Sequence, residues 1–172
     1  NRPGEEWAVL RALCRRHGLE PALAWAARRR TNVPGPLREE MARVRDDAAT
    51  ADRVQLLVLA DLLAAATARG VPLIVLKGLA VAERVLDDPA WRVSKDIDLL
   101  VPLDAVEVVG SLLRERGFDP EIPDYFRQHH FHLPYVHRSR TIGGRVEIHW
   151  DVTRAGSPVR FDVPAWWRSA RP

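Results

Sequence analysis

The stretch LKGLAVAERVLDDPAWRVSKDIDLLV, residues 76–101, decides how this chain is read. At its end Asp96 and Asp98 alternate with Ile97, Leu99 and Val101. Strand side chains alternate in direction, so this spacing predicts a strand with both carboxylates on one face, about 7 Å apart, and aliphatic residues against a core. Two carboxylates aimed at one point ask for a hard cation. Magnesium suits them best, because it takes oxygen ligands in an octahedron at about 2.1 Å and completes its shell with substrate phosphates. An isolated Asp-x-Asp is a weak signal, since it also occurs on solvated edges and in turns.

The residues just upstream supply the context. Pro72 to Leu76 reads as a fully buried strand that ends at Lys77-Gly78, and Leu79 to Leu86 has helical spacing, which makes a strand, glycine turn, helix unit. Gly78 lets the backbone approach a ligand closely, and the helix behind it offers free N–H groups and the positive end of its dipole to an anion. Only two of the 26 Lys and Arg residues are lysines, Lys77 and Lys95, and both lie in this stretch. A compact ammonium is favoured at these two places in a chain that otherwise uses the planar guanidinium.

These residues carry a family resemblance. L-K-G at 76–78, Arg92, and D-I-D-L-L-V at 96–101 resemble the signature of the nucleotidyltransferase superfamily built on the DNA polymerase beta type palm, most closely its poorly characterised bacterial families. The resemblance implies an α+β fold, with a helical region over residues 1–70 and a palm of small mixed sheet and flanking helices over 71–172. It implies a nucleoside triphosphate as substrate, two magnesium ions, and three catalytic, metal-holding carboxylates. Asp96 and Asp98 are two of them; the third belongs on a later strand. In RVEIHW, residues 145–150, period-two alternation puts Arg145, Glu147 and His149 on one face with Asp151, and Val146 and Ile148 on the other, which selects Glu147. The resemblance assigns the triphosphate to Lys77, Gly78, Leu79, Arg92, Ser94 and Lys95, with His149 beside the nucleotide. Three of these have equally ordinary alternatives: His149 as a packed hydrogen bonder, Arg92 in a surface ion pair with Asp87 or Asp88, and Ser94 as a turn residue. Where the superfamily usually has Gly-Ser or Gly-Gly, this chain has Gly78-Leu79, so Lys77 or backbone N–H groups must do the work of the hydroxyl.

The implied reaction moves a nucleoside monophosphate from the triphosphate to an acceptor hydroxyl and releases pyrophosphate. The acceptor is open between a small molecule and RNA, because Arg92-Val93-Ser94-Lys95-Asp96 is also similar to the pattern of tRNA-modifying nucleotidyltransferase toxins. A different class stays in play as well: an inactive palm serving as a binding or assembly module. A partner chain, or the C-terminal helical region that similar sequences have and this chain is expected to lack, would then dock near Trp166 and Trp167.

Composition sets the outer bounds. A chain of 172 residues that is 47% hydrophobic can bury a sizeable core, and its net charge of +3 permits a phosphate-rich ligand without demanding nucleic acid. Cys14 is the single cysteine, which excludes an intrachain disulfide and any multi-cysteine zinc site. His129, His130, His132 and His137 match no common zinc spacing. No apolar run approaches the roughly 20 residues that span a bilayer, and the first residues lack a signal-peptide layout, so no membrane association and a cytoplasmic location are expected. Helices are predicted over 5–17, 19–30, 37–69 and 103–116, and His132 to His137 is predicted to form a hairpin with 145–150.

Overall fold

The computed structural model describes residues 3–85, 94–123, 130–139 and 144–170. It divides into two compact units, residues 1–54 with 81–94, and residues 55–80 with 95–172.

The first unit holds helices α1 (Pro3–Arg16) and α2 (Glu20–Ala27) and the start of α3 (Gly35–Ala68). Leu23, Ala24, Ala27, Val33 and Met41 form its core, with Trp7, Cys14, Leu37 and Val44 packed against them. Helix α2 stops at Ala27, short of the predicted 30, because the basic run leaves the helix. The guanidinium groups of Arg28 and Arg29 lie 5.2 and 4.9 Å from the centre of the Trp25 ring. That contact gives two of the three arginines a local cation–π role.

The second unit contains the sheet. Gly70, at φ +68°, terminates α3 in the left-handed conformation that glycine adopts without strain. Then follow β1 (Ile74–Leu76), α4 (Lys77–Val85), β2 (Ile97–Leu100), a 3₁₀ turn at Leu103–Ala105 running into α5 (Val106–Glu115), β3 (Phe118–Pro120), β4 (His132–His137), β5 (Arg145–His149) and α6 (Val163–Ser169). The strand order is β1-β2-β5-β4-β3. Only β2 and β5 run parallel; the other neighbours are antiparallel. A helical region followed by a small mixed sheet with flanking helices is the α+β arrangement expected from the sequence.

Period-two alternation explains how the sheet sorts its side chains. Leu99, Ile148 and Leu133 form one row across three strands, and Ile97, Val146 and Tyr135 form the next. All six are buried and pack with Leu59, Leu62, Val109 and Leu113. The opposite face carries the rows Asp98, Glu147, Pro134 and Leu100, His149, His132.

The Pro72 to Leu76 run is not a fully buried strand: only Ile74–Leu76 pairs, and its residues are half-buried. Among the described residues it has a single neighbour, β2, so it is the edge strand of the sheet.

Helix α5 packs on the sheet through Gly110, where an added Cβ would stand 2.6 Å from the Tyr135 hydroxyl oxygen. Tyr135 is 2% exposed and has no room to retreat. Alanine would improve helix propensity by up to about 1 kcal/mol, while overpacking a core costs about 1–3 kcal/mol. Gly110→Ala is therefore expected to lower stability by about 1 kcal/mol in urea denaturation, against the helix-propensity trend.

Candidate active site

The site assembles where three elements converge. β1 ends at Leu76 and α4 begins at Lys77 with no connecting residue. Such an abrupt reversal forces Lys77 to φ +28° and Gly78 to φ +30°, ψ −107°. Glycine reaches such angles readily, whereas lysine pays a conformational cost of order 1–3 kcal/mol. The turn delivers the Lys77 ammonium to 2.9 Å from Asp98 Oδ1. Leu79, the next residue, buries its side chain in the core, so the turn can offer a ligand only that residue's backbone.

Asp98 and Glu147 are direct partners in the parallel β2–β5 register, which brings together two carboxylates that are distant in the chain. His149, two residues after Glu147, places Nε2 at 2.9 Å from Asp98 Oδ1 and 3.4 Å from Glu147 Oε2. His132 stacks on His149 with ring centres 5.1 Å apart and reaches to 4.0 Å from Glu147. Arg145 closes the row, 3.4 Å from Glu147 and 2.9 Å from Glu121.

Electrostatics follow from this packing. Burial by itself would raise the Asp98 carboxyl; hydrogen bonds from His149 and Lys77, with their charge, outweigh it and hold the group below the usual carboxylate range. Glu147 goes the other way. Burial raises it, the Arg145 charge pulls it down, and the negative charges of Asp98 and Asp96 keep it above its ordinary value. For Lys77, burial is opposed by the bond to Asp98 and by the charges of Asp98, Asp96 and Glu147, so the ammonium holds its proton more firmly than usual. The His132 pKa is lowered by burial and by the charges of His149, His130 and Arg145, which favours the neutral ring.

The Asp98 shift has a stability consequence. A carboxyl with a lower pKa folded than unfolded stabilises the fold above the unfolded pKa, and that contribution is lost as pH falls through the carboxylate range, about pH 4. Glu147, shifted up, acts in the opposite sense and favours the fold at low pH. In metal-free urea denaturation at a series of pH values, Asp98→Asn is expected to flatten the loss of stability on acidification.

The sequence-derived site residues are placed unequally. Lys77, Gly78, Asp98, Glu147 and His149 come together. Asp96 lies in the bend before β2, half-buried, its charge felt at both Lys77 and Glu147. Ser94 is half-buried and Lys95 exposed at the approach to β2. Arg92 falls outside the described residues. A cleft of about 440 Å³ opens beside the carboxylates, lined by Leu76, Lys77, Phe131, His132, Glu147, His149, Val152 and Trp166. Phe131 and Val152 carried no signal in the sequence, because each lies just outside a strand where alternation gives no direction.

Residues 3–172 match the family described as uncharacterised nucleotidyltransferase. The chain belongs to that family. No curated protein and no solved structure matches it. The nucleotidyltransferase match takes in the helices of the first unit as well as the sheet, so those helices belong to the family's common sequence and the resemblance is wider than the motif-bearing segment. No helix among the described residues is long and apolar enough to cross a membrane.

Membership in a nucleotidyltransferase family implies a nucleoside triphosphate and a divalent cation, and the side chains can be tested for the latter. Asp98, Glu147 and His149 each offer one ligand atom, and these atoms lie within 4.8 Å of one another. The Asp98 side chain is 0% exposed, yet its Oδ2 has no hydrogen-bond partner among the described residues. A buried carboxylate oxygen left unsatisfied is costly unless something positive meets it. The donor set fits a divalent cation.

Proposed function

We propose that this protein transfers a nucleoside monophosphate from a nucleoside triphosphate to an acceptor hydroxyl. The acceptor oxygen bonds to the α-phosphorus, the bond from that phosphorus to the oxygen bridging it to the β-phosphate breaks, and pyrophosphate leaves. The observation that carries this reading is the pairing of Asp98 with Glu147 beside the strained Lys77-Gly78 turn. Strain concentrated next to buried carboxylates is characteristic of functional sites.

Asp96, Asp98 and Glu147 would hold two magnesium ions, which when bound supply the charge that acidifies the acceptor hydroxyl and offsets charge building on the phosphates. The chain's own groups act by position. Lys77 is 59% exposed at its side chain and can swing from Asp98 to a phosphate. The Gly78 and Leu79 backbone, with Lys95, Ser94 and Arg92 as the family resemblance implies, would cradle the triphosphate, as phosphoryl transfer requires. His149 holds the Asp98 carboxylate in place and keeps its proton off. The cleft walled by Phe131, Val152 and Trp166 has the size of a small-molecule site.

Calorimetric titration of ATP, GTP, CTP and UTP, with and without magnesium, tests the reading. Binding of at least one nucleotide only in the presence of the ion is expected. No binding of any nucleotide with magnesium present would overturn it.

A further inference from the structure

We infer that His149 is itself a metal ligand, so that Asp98, Glu147 and His149 form a mixed oxygen and nitrogen site that prefers manganese(II) to magnesium. The inference deepens the proposed nucleotidyltransferase reading and rests on it for the presence of a divalent site.

The distances carry the argument. Ligand atoms at neighbouring corners of an octahedron of radius about 2.1 Å stand about 3.0 Å apart. Nε2 of His149 lies 2.9 Å from Asp98 Oδ1 and 3.4 Å from Glu147 Oε2, close to the edges of such a shell. The proton that Nε2 shares with Asp98 would leave as the ion binds, with Nδ1 carrying the ring proton of the neutral imidazole. All three residues are held by the β2–β5 pairing: Asp98 opposes Glu147, and Leu100 opposes His149. The His149 side chain is only 8% exposed, which leaves it little freedom to turn elsewhere. The buried Asp98 Oδ2, without a hydrogen-bond partner among the described residues, is a second and independent sign that a cation belongs here. Asp96, by contrast, does not join this close trio.

Donor chemistry then sets the preference. Magnesium favours oxygen and gives up water reluctantly, whereas first-row transition ions accept imidazole nitrogen together with carboxylate. Replacing one oxygen of the shell by Nε2 therefore weakens magnesium relative to manganese. His132, stacked on His149, serves as its orienting neighbour and not as a ligand.

The test uses the untagged chain and manganese(II) as the probe, read by pulsed electron paramagnetic resonance, with calorimetry for manganese and magnesium. Nitrogen-14 coupling to the bound ion is expected in the native chain and in His132→Gln, and its loss in His149→Gln. Manganese is expected to bind about tenfold or more tightly than magnesium, a preference that shrinks in His149→Gln. If His149→Gln fails to fold, the coupling in the native chain and its retention in His132→Gln decide the matter. Bound manganese without nitrogen coupling, or coupling that survives in folded His149→Gln, overturns the ligand assignment and leaves the nucleotidyltransferase reading standing if nucleotides still bind with metal. Absence of both metal and nucleotide binding overturns both.

Discussion

Replacing Asp96 and Asp98 together by asparagine is expected to weaken metal-dependent nucleoside triphosphate binding by at least about 100-fold, which corresponds to roughly 2.7 kcal/mol or more. Asparagine keeps the volume of aspartate and can still accept a hydrogen bond from Lys77, so the buried row beside Glu147 loses charge without losing shape. What disappears is the negative charge that attracts a cation and, through the cation, the phosphates. Circular dichroism of the double variant should match the native chain, and calorimetry with magnesium and each nucleotide reads the loss. Native-like affinity in a folded double variant would sink the proposed mechanism, because Glu147 would be the one carboxylate left of the three assigned to the metal.

The second large effect lies one residue from the site. Ile148 is 0% exposed and sits between Leu99 and Leu133 in the sheet. Ile148→Ala removes buried methyl groups and leaves a cavity that flanking strands cannot close, at a cost of about 2–5 kcal/mol. A typical domain has only about 5–15 kcal/mol in total, so the variant should unfold at markedly lower urea. Ile148→Val, which removes a single methylene, should cost only about 0.5–1.5 kcal/mol. Since Glu147 and His149 flank Ile148 on the same strand, the two substitutions also measure how far the site depends on the packing beneath it.

Much of this could be read in the chain because it is local. Alternation along Arg145 to His149 placed Glu147 and His149 together on one face and Val146 and Ile148 in the core, and the helix of α5 followed from Asp104 near its start and Gly117 at its end. The pairing of His132–His137 with Arg145–His149 followed from two extended runs joined by a glycine-bearing loop. Partner choice across the sheet was different. Nothing in the residues says that β5 lies parallel to β2, yet this pairing joins Asp98 to His149 over 51 positions. Loop closure and packing of the whole unit decide it. The start of β2 was also hidden: alternation extends back through Asp96, but the ladder begins at Ile97, and Asp96 occupies a bend. Phe131 enters the cleft from just outside a strand, and Trp166 from the short helix α6, whose seven residues are too few for an apolar period to report direction.

The backbone at Lys77 has a consequence for how this protein would respond to selection in the laboratory. A residue with a side chain occupies a conformation that glycine would take at less cost, and the ammonium it carries points at Asp98. In Lys77→Gly a relaxed turn is set against a buried Asp98 that has lost its ammonium partner, so a screen for heat resistance alone meets two opposed effects at one position. A library sorted also for phosphate handling should retain lysine there while accumulating its gains elsewhere.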